Sequence, residues 1–579
     1  MQSYLQYRSI RGGIRRQVDE HPGLVIPCCK DGNRRHNLFD NTEGNAKTEG
    51  SPDIGLSPLQ GYSLRQRADF DRHPPPGIEL SDRDHSTVFL VGWDHEKDTM
   101  NPRNFPLATR ISVTLLVSAI AFVVSAASSI ETAVLHQNSA AYNVSEVVAS
   151  LATGIFLLGF AAGSLVSGPL SEILGRNVVY IGSLSLFMLF TMASGLAPNI
   201  GTQLLFRFLA GVFGCPPLTC AGGTIADIWD PLEKTLAFPL YAILSFGGAI
   251  LSPLIASYMG QGTLSWRWTN CIILIMAGLV LVLVVLFQPE TYSRLLMNWK
   301  ASHLRKSTGD LRYQSAMDLD RTTPLSRIVT ACVRQLTLPI QEPIILLLSL
   351  YMTVLYIVLF TFFDGYSYIF SDIHGLSQGL TNIVWVAMYV GIVLAALLVP
   401  VHYRRMKRLE SLSRDLPSPN NPDTAQNGDI NVSLNRDDQQ AKAQSATPEH
   451  RLWYAMIGAP AIPISLFWMA WTDHANISIW SPIVGSSLFG FGSICIFISS
   501  YMYIIDAYEA YAASALGFMT VSRYCAAGGM TVVGIPFYQN VGVHWTLTSL
   551  GIISAVLTPV PYIFWRFGDV VRGWSRYAV

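Results

Sequence analysis

The sequence predicts an all-α membrane protein that crosses the bilayer twelve times, as two six-helix bundles. Three observations carry this. Half of the 579 residues are hydrophobic and only 13% are charged, with a mean hydropathy of +0.34; water-soluble chains carry about twice that charge to cover their surface. Apolar runs of about twenty residues, the length of helix that spans a ~30 Å hydrocarbon layer, recur along the chain. Lys and Arg gather in alternate connections, which fixes a sidedness.

Residues 1–107 are rich in Arg, Asp, Asn, Pro and Gly and show no sustained period, so they are expected to form a disordered cytosolic N-terminal tail. Residues 1–30 hold no continuous apolar core and do not read as a signal peptide. The N-terminal bundle, 108–288, is expected to hold spans 110–131, 147–167, 178–197, 202–226, 236–259 and 269–288. A polar cytosolic central loop follows at 289–342, containing "NWKASHLRKSTGDLR". The C-terminal bundle, 343–566, holds spans 343–363, 380–400, 452–472, 480–505, 512–535 and 546–565, with a polar cytosolic insertion at 402–451. Residues 567–579 form a cytosolic C-terminal tail. The apolar runs are continuous rather than alternating, which selects helices over a barrel. Small residues such as Gly159 and Gly163, or Gly490 and Gly492, allow close helix contact where no hydrophobic force drives it.

Arg103, Arg110, Arg176, Lys234, the basic residues between 294 and 334, "HYRRMKR" at 402–408, and Arg566, Arg572 and Arg576 all fall on one side. The opposite loops carry essentially Arg267. Both termini are therefore cytosolic and the number of spans is even. Zero net charge argues against a nucleic-acid partner. The eight cysteines include no Cys-x-x-Cys pair and none in an outer loop, so neither a disulfide framework nor a metal site is expected. Cys28 and Cys29 lie in the polar tail as unmodified thiols or lipid attachment points. No phosphate-cradling Gly-x4-Gly-Lys-Ser/Thr loop and no nucleophile elbow occurs, so neither an ATP-driven pump of that type nor an enzyme is expected.

Motifs sharpen the layout of two halves around a shared pathway. Residues 168–177, "GPLSEILGRN", resemble the loop signature between spans 2 and 3 of the major facilitator superfamily. Gly168 and Gly175 would permit a tight turn there, with Arg176 beside the acid Glu172. The resemblance implies a gate that latches the halves together on the cytosolic side. Residues 203–214, "QLLFRFLAGVFG", resemble the fourth-span motif, which implies a part in proton coupling for Arg207. "FGGAILSPLIAS" at 246–257 is similar to the fifth-span antiporter motif, through Gly247, Gly248, Ser252 and Pro253. "GWDHEKDTMNPRNFP" (92–106), "PETYSRLLMNWKASHLRKSTGD" (289–310) and "IIDAYEAYAASALG" (504–517) with Arg523 resemble the fungal twelve-span drug:proton antiporter branch. That branch includes polyamine and multidrug exporters.

Charges inside a span are costly, roughly 2.5–3.5 kcal/mol each, and call for a reason. Arg207 and Arg523 are the deepest. Arg207 either steadies a carboxylate or substrate anion as the pathway switches, or holds helices together; Arg523 offers the same two readings. Glu131, at the outer end of span 1, is either a proton carrier or a solvated loop acid; a partly desolvated carboxylate titrates in the range that coupling needs. Asp364, in "FTFFDGYSYIF", attracts a cationic substrate or is an interfacial acid. Asp227 and Asp506 read as structural residues at the cytosolic surface. Tyr356, Phe360, Phe363, Tyr366 and Tyr368 line a cavity or form a membrane-interface belt. Asn143 and Asn476 begin outer sequons too close to the membrane for ready glycosylation, and Asn431 begins a cytosolic one.

The expectation is a monomeric, multi-pass secondary transporter of the plasma membrane. It would have the lipid bilayer and a small-molecule substrate as partners and no cofactor, and the proton motive force as energy source. It would export amphipathic molecules such as drugs, toxins, secondary metabolites or polyamines. A nutrient importer or facilitator of the same superfamily is the second reading, and a non-transporting membrane sensor the third.

Overall fold

A computed structural model describes residues 1–20, 78–83, 86–259, 264–320, 322–414, 447–474, 476–508, 511–575 and 577. The chain divides into two compact units, one of Leu107–Phe287 with Pro324–Val579, the other of Met1–Pro106 with Gln288–Thr323.

In the larger unit, eleven stretches of helix among the described residues are long and apolar enough to cross a membrane. They are Leu107–Tyr142, Glu146–Leu174, Arg176–Gly195, Ile200–Ile228, Lys234–Ile255, Trp268–Phe287, Pro343–Ile373, Gln378–Ser411, Pro448–Thr472, Trp480–Ala507 and Val543–Gly573. Between the last two lies Ala512–Val541, a helix of 30 residues. Its Arg523, Gln539 and Asn540 and its Ser and Thr residues lower its hydropathy. Counted in chain order with that helix as the eleventh, these are spans 1 to 12.

Termini and turns follow local chemistry. Ser145 caps span 2 by accepting from the Val148 N–H, and Asn199 caps span 4 through Thr202. Gly175 ends span 2 with φ +94°, a conformation closed to most side chains.

Within the unit, span 2 packs on spans 4 and 11, span 1 on span 5, span 7 on span 11, and span 8 on spans 10 and 5. Spans 2 and 11, and 5 and 8, are where the two halves meet. Missing Cβ atoms allow these crossings. A Cβ on Gly248 would run into the Phe122 carbonyl of span 1, and one on Gly247 into the Tyr389 ring of span 8. Gly154 and Gly528 make the same close approach between spans 2 and 11.

The expected central loop carries an ordered amphipathic helix in this unit, Pro324–Gln341. Its Gln335 Nε2 and Cys332 Sγ donate to the Leu165 carbonyl of span 2, and its Arg334 Nε donates to Ser514 Oγ of span 11. It therefore ties the cytosolic ends of both halves.

The smaller unit departs from the expectation of a disordered tail. Gln2–Glu20 is helical and lays Ile10 and Ile14 against Leu296 and Leu304 of a second helix, Ser293–Thr308. Tyr7 meets Trp299 edge-on, ring centroids 5.4 Å apart. Strand β1 (Ile78–Arg83) pairs antiparallel with β2 (Ser86–Val91), which pairs in parallel with β3 (Tyr313–Gln314). Buried Phe89 and Tyr313 close this small core. The tail folds where those few apolar residues find partners that are distant in sequence. Most of the remaining tail, with Cys28 and Cys29, lies outside the described residues, as do Asn431 and most of the 402–451 insertion.

The 92–106 motif is a set of caps within this unit. Asp98 accepts from the Met100 and Asp94 N–H groups, Asn101 from Arg103, and Asn104 Nδ2 donates to the Glu96 and Asp98 carbonyls. Asp94 binds Lys300 at 2.7 Å. Each Asp and Asn of the motif thus satisfies backbone groups or a lysine that would otherwise stand unpaired.

Candidate functional site

The halves line a small central cavity. Spans 1, 4 and 5 supply Ser125, Ser128, Leu218, Tyr241 and Ser245, and spans 7, 10 and 11 supply Tyr356, Phe360, Tyr501, Arg523 and Tyr524. Half of the lining residues are aromatic, with serine hydroxyls from the first half and a single guanidinium from the second. Tyr356 and Phe360 are thus cavity residues. Phe363 and Tyr366 are buried and stack on Trp385, at 4.4 and 4.1 Å, and Tyr368 stacks on Tyr538 at 5.5 Å.

Arg523 is 3% exposed. Its guanidinium lies over the rings of Tyr356, Tyr524, Tyr501 and Phe497 at 4.7, 4.8, 5.4 and 5.6 Å. Its Nε and Nη1 donate to no group among the described residues. The ring faces offset part of the cost of burying the cation but leave its in-plane donors open.

One turn along span 1 from Ser128, the chain tightens at Ile130–Val134 and turns Glu131 inward. Glu131 is buried and ion-paired with Arg207 of span 4. Arg207 also donates to the Ala127 carbonyl at 2.9 Å and to Asn270 Oδ1 at 3.1 Å. Asn270 and Gln203 donate to the Glu131 carboxylate at 3.2 and 3.3 Å. The solvated-acid reading of Glu131 is therefore set aside. The sequence reading named both charges but missed their partners Gln203 and Asn270. Gln203 had a signal, since it stands one helical turn before Arg207 on the same face.

The expected gate is arranged differently. Gly168 lies inside span 2, with nothing within 4 Å of a Cβ placed on it, so only Gly175 makes the turn. Arg176 bonds Asp227 of span 4 at 3.2 Å and Ser171 at 2.5 Å, and the exposed Glu172 adds a weaker attraction. A motif fixes spacing along the chain, but the buried guanidinium takes the acid that the neighbouring helix presents. The contact that joins the halves on this side is another one. Arg451, in the first turn of span 9, bonds Asp506 at 2.6 Å, Thr235 Oγ1 at 2.5 Å and the Pro231 carbonyl at 2.9 Å. Lys234 also approaches Asp506, at 3.6 Å. Arg451 and Lys234 escaped the sequence reading as a pair because their segments meet only in the fold.

On the outer side, Gln378 of span 8 bonds Gln137 and the Ala133 carbonyl, and Ser150 of span 2 donates to the Thr531 carbonyl at 3.0 Å. The halves therefore touch on both sides of the cavity. Of the fifth-span motif, Gly247 and Gly248 serve the helix crossings already described, while Ser252 shares a hydrogen bond of 2.7 Å with Ser129. Pro253 lies within the last turn of span 5.

Asp364 is neither interfacial nor on the cavity wall. It is buried between spans 7 and 11 beside Gly534, and its Oδ2 has no hydrogen-bond partner among the described residues. Asn143 and Asn476 are exposed in short outer connections. No group of three or more His, Cys, Asp or Glu residues that could hold a metal occurs among the described residues.

Two six-helix halves that meet on both sides of a central cavity are the architecture of a membrane transporter. The chain belongs to the major facilitator superfamily, whose family model matches residues 112–417. It is similar to MFS-type transporter kojT of Aspergillus flavus, 42% identical over 99% of both chains. It is also similar to the ascochitine biosynthesis cluster MFS transporter of Didymella fabae, 30% identical over 84% of this chain and 89% of that one. Among solved structures, the MFS proton:xylose symporter XylE bound to 6-bromo-6-deoxy-D-glucose shares the fold, with TM-score 0.55 and 13% identity over 80% of this chain and 96% of that one. The protein is therefore a multi-pass membrane transporter rather than an enzyme.

Proposed function

We propose that the protein is a plasma-membrane, proton-coupled exporter of small organic molecules, with secondary metabolites as its cargo. The observation that carries this reading is the buried Glu131–Arg207 pair one helical turn from the cavity wall. A carboxylate held by one arginine and two amides can release the arginine when it takes a proton. The Ala127 carbonyl, which Arg207 also holds, stands next to cavity-lining Ser128, so that release reaches the substrate route. Support for export comes from the fifth-span motif with Gly247, Gly248, Ser252 and Pro253, and support for metabolite cargo from the named cluster of the Didymella relative. The chain acts as a monomer in this reading, without a cofactor.

The test is flux in cells that lack or overproduce the chain, first screened on a panel of organic compounds for changed growth. Compounds so found are loaded and their efflux followed with and without a protonophore. Efflux is expected to collapse with the protonophore. In Glu131→Gln, exchange of internal for external compound is expected to persist while net uphill export is lost. Accumulation inside, driven by an inward proton gradient, would replace export with import.

A further inference from the structure

We propose that the cavity is built for a planar organic anion, such as an aromatic or conjugated carboxylate, and that Arg523 is the residue that binds its charge. The inference rests on the transport reading above and narrows its substrate class.

Three features of the cavity lead to it. First, Arg523 is the only charged side chain on the described cavity wall, and no carboxylate pairs with it among the described residues. The other buried arginines in the spans each have an acid: Arg207 has Glu131, Arg176 has Asp227 and Arg451 has Asp506. A cation held without an anion in a low-dielectric site is costly, and an incoming anion relieves that cost. Second, its Nε and Nη1 have no hydrogen-bond acceptor among the described residues, and Nη2 forms with either of them a planar fork that matches the two oxygens of a carboxylate. Third, the wall around it is ring-rich. Tyr356 and Phe360, stacked at 6.3 Å, and Tyr501 offer faces on which a flat ligand rests.

The same arrangement disfavours cationic cargo. A polyamine entering the cavity would face Arg523 with no acid on the described wall to receive it. Asp364, the acid considered for that purpose, sits off the wall between spans 7 and 11. Serines 125, 128 and 245 supply neutral hydroxyls opposite the guanidinium, suited to hydroxyl or carbonyl groups at the far end of the ligand.

The test uses the full-length chain in lipid nanodiscs and a panel of mono- and bicyclic aromatic carboxylates, each paired with its primary amide, together with spermidine. Binding is read by calorimetry. At least one carboxylate is expected to bind about tenfold or more tighter than its amide, the weight of a charge-assisted hydrogen bond. Spermidine is not expected to bind in the cavity. In Arg523→Gln the preference for carboxylate over amide is expected to vanish, while Arg523→Lys keeps part of it. The wild-type ratio alone is decisive if either variant fails to fold. Equal binding of acids and amides, preference for spermidine, or a folded protein that binds no acid of the panel would overturn the inference. Its failure is separable from that of the transport reading. Proton-driven efflux of a neutral or cationic compound would reject the anion site alone. Arg523-dependent carboxylate binding with flux indifferent to the proton gradient would reject the coupling alone.

Discussion

At the scale of single residues, the fold uses charge sparingly and surrounds it closely. The Glu131–Arg207 pair is almost fully buried, and removing one partner of such a pair costs about 3–5 kcal/mol because the other is left uncompensated. A second enclosed pair lies outside the spans, where His374 Nε2 meets Asp473 Oδ1 at 3.1 Å. Burial pushes the Asp473 carboxyl up to about 7 and the His374 imidazole below its ordinary value, so both favour their neutral forms. A carboxyl raised by folding contributes stability in full below its unfolded value of about 3.9, and that contribution is lost as pH rises through about 7. Lowering of His374 acts oppositely, adding stability as pH rises toward about 6.5. Asp473→Asn removes only the first dependence. The variant is expected to melt with the wild type near pH 5 and above it near pH 8, as read by thermal unfolding in detergent at both values. Equal melting differences at both pH values would count against a buried, proton-bearing Asp473.

At the scale of elements, hydropathy made most spans legible, and the crossings between them could be guessed only as small-residue patterns. Gly248 shows what the pattern hides: its missing Cβ is the space taken by the Phe122 carbonyl of span 1. Gly168 is the contrast, a motif glycine with open space around it inside a helix. Gly248→Val is therefore expected to cost about 1–3 kcal/mol or more through overpacking. Gly168→Ala is expected to be neutral or to gain up to about 1 kcal/mol of helix propensity. Size-exclusion profiles after a temperature ramp compare the two, and equal losses would mean that the crossing of spans 1 and 5 is loose. The folded N-terminal unit was not legible for a different reason. Ile10 and Ile14 are isolated apolar residues in a polar helix, and their partners Leu296 and Leu304 lie nearly three hundred residues away.

At the scale of the whole molecule, two halves were legible in the sequence but the contacts between them were not. Motif spacing pointed to Arg176 and Glu172 as the gate. The fold ties Arg176 to Asp227 within one half, and Arg451, Asp506 and Lys234 join the halves alongside the 324–341 helix. Three segments must come together for that cluster to exist, so no local pattern announces it. Asp506→Asn leaves Arg451 with only a hydroxyl and a carbonyl as partners and should bias the molecule toward opening on the cytosolic side. A cysteine placed at Ser245 on the cavity wall is expected to react about tenfold faster with a cytosolic thiol reagent in that background. An unchanged rate would mean that the cluster does not hold the cytosolic side shut.

The polarity of the eleventh span has a consequence for how the protein is made. A nascent helix that carries Arg523 among serines, threonines and glycines partitions poorly from the translocon into lipid on its own, since an arginine at mid-depth costs about 2.5–3.5 kcal/mol there. Spans 2 and 7, which shelter it in the finished bundle, are already synthesised by then and give it a place to dock. The ring-lined chamber that suits Arg523 to a ligand is thus also what lets the helix stay in the bilayer.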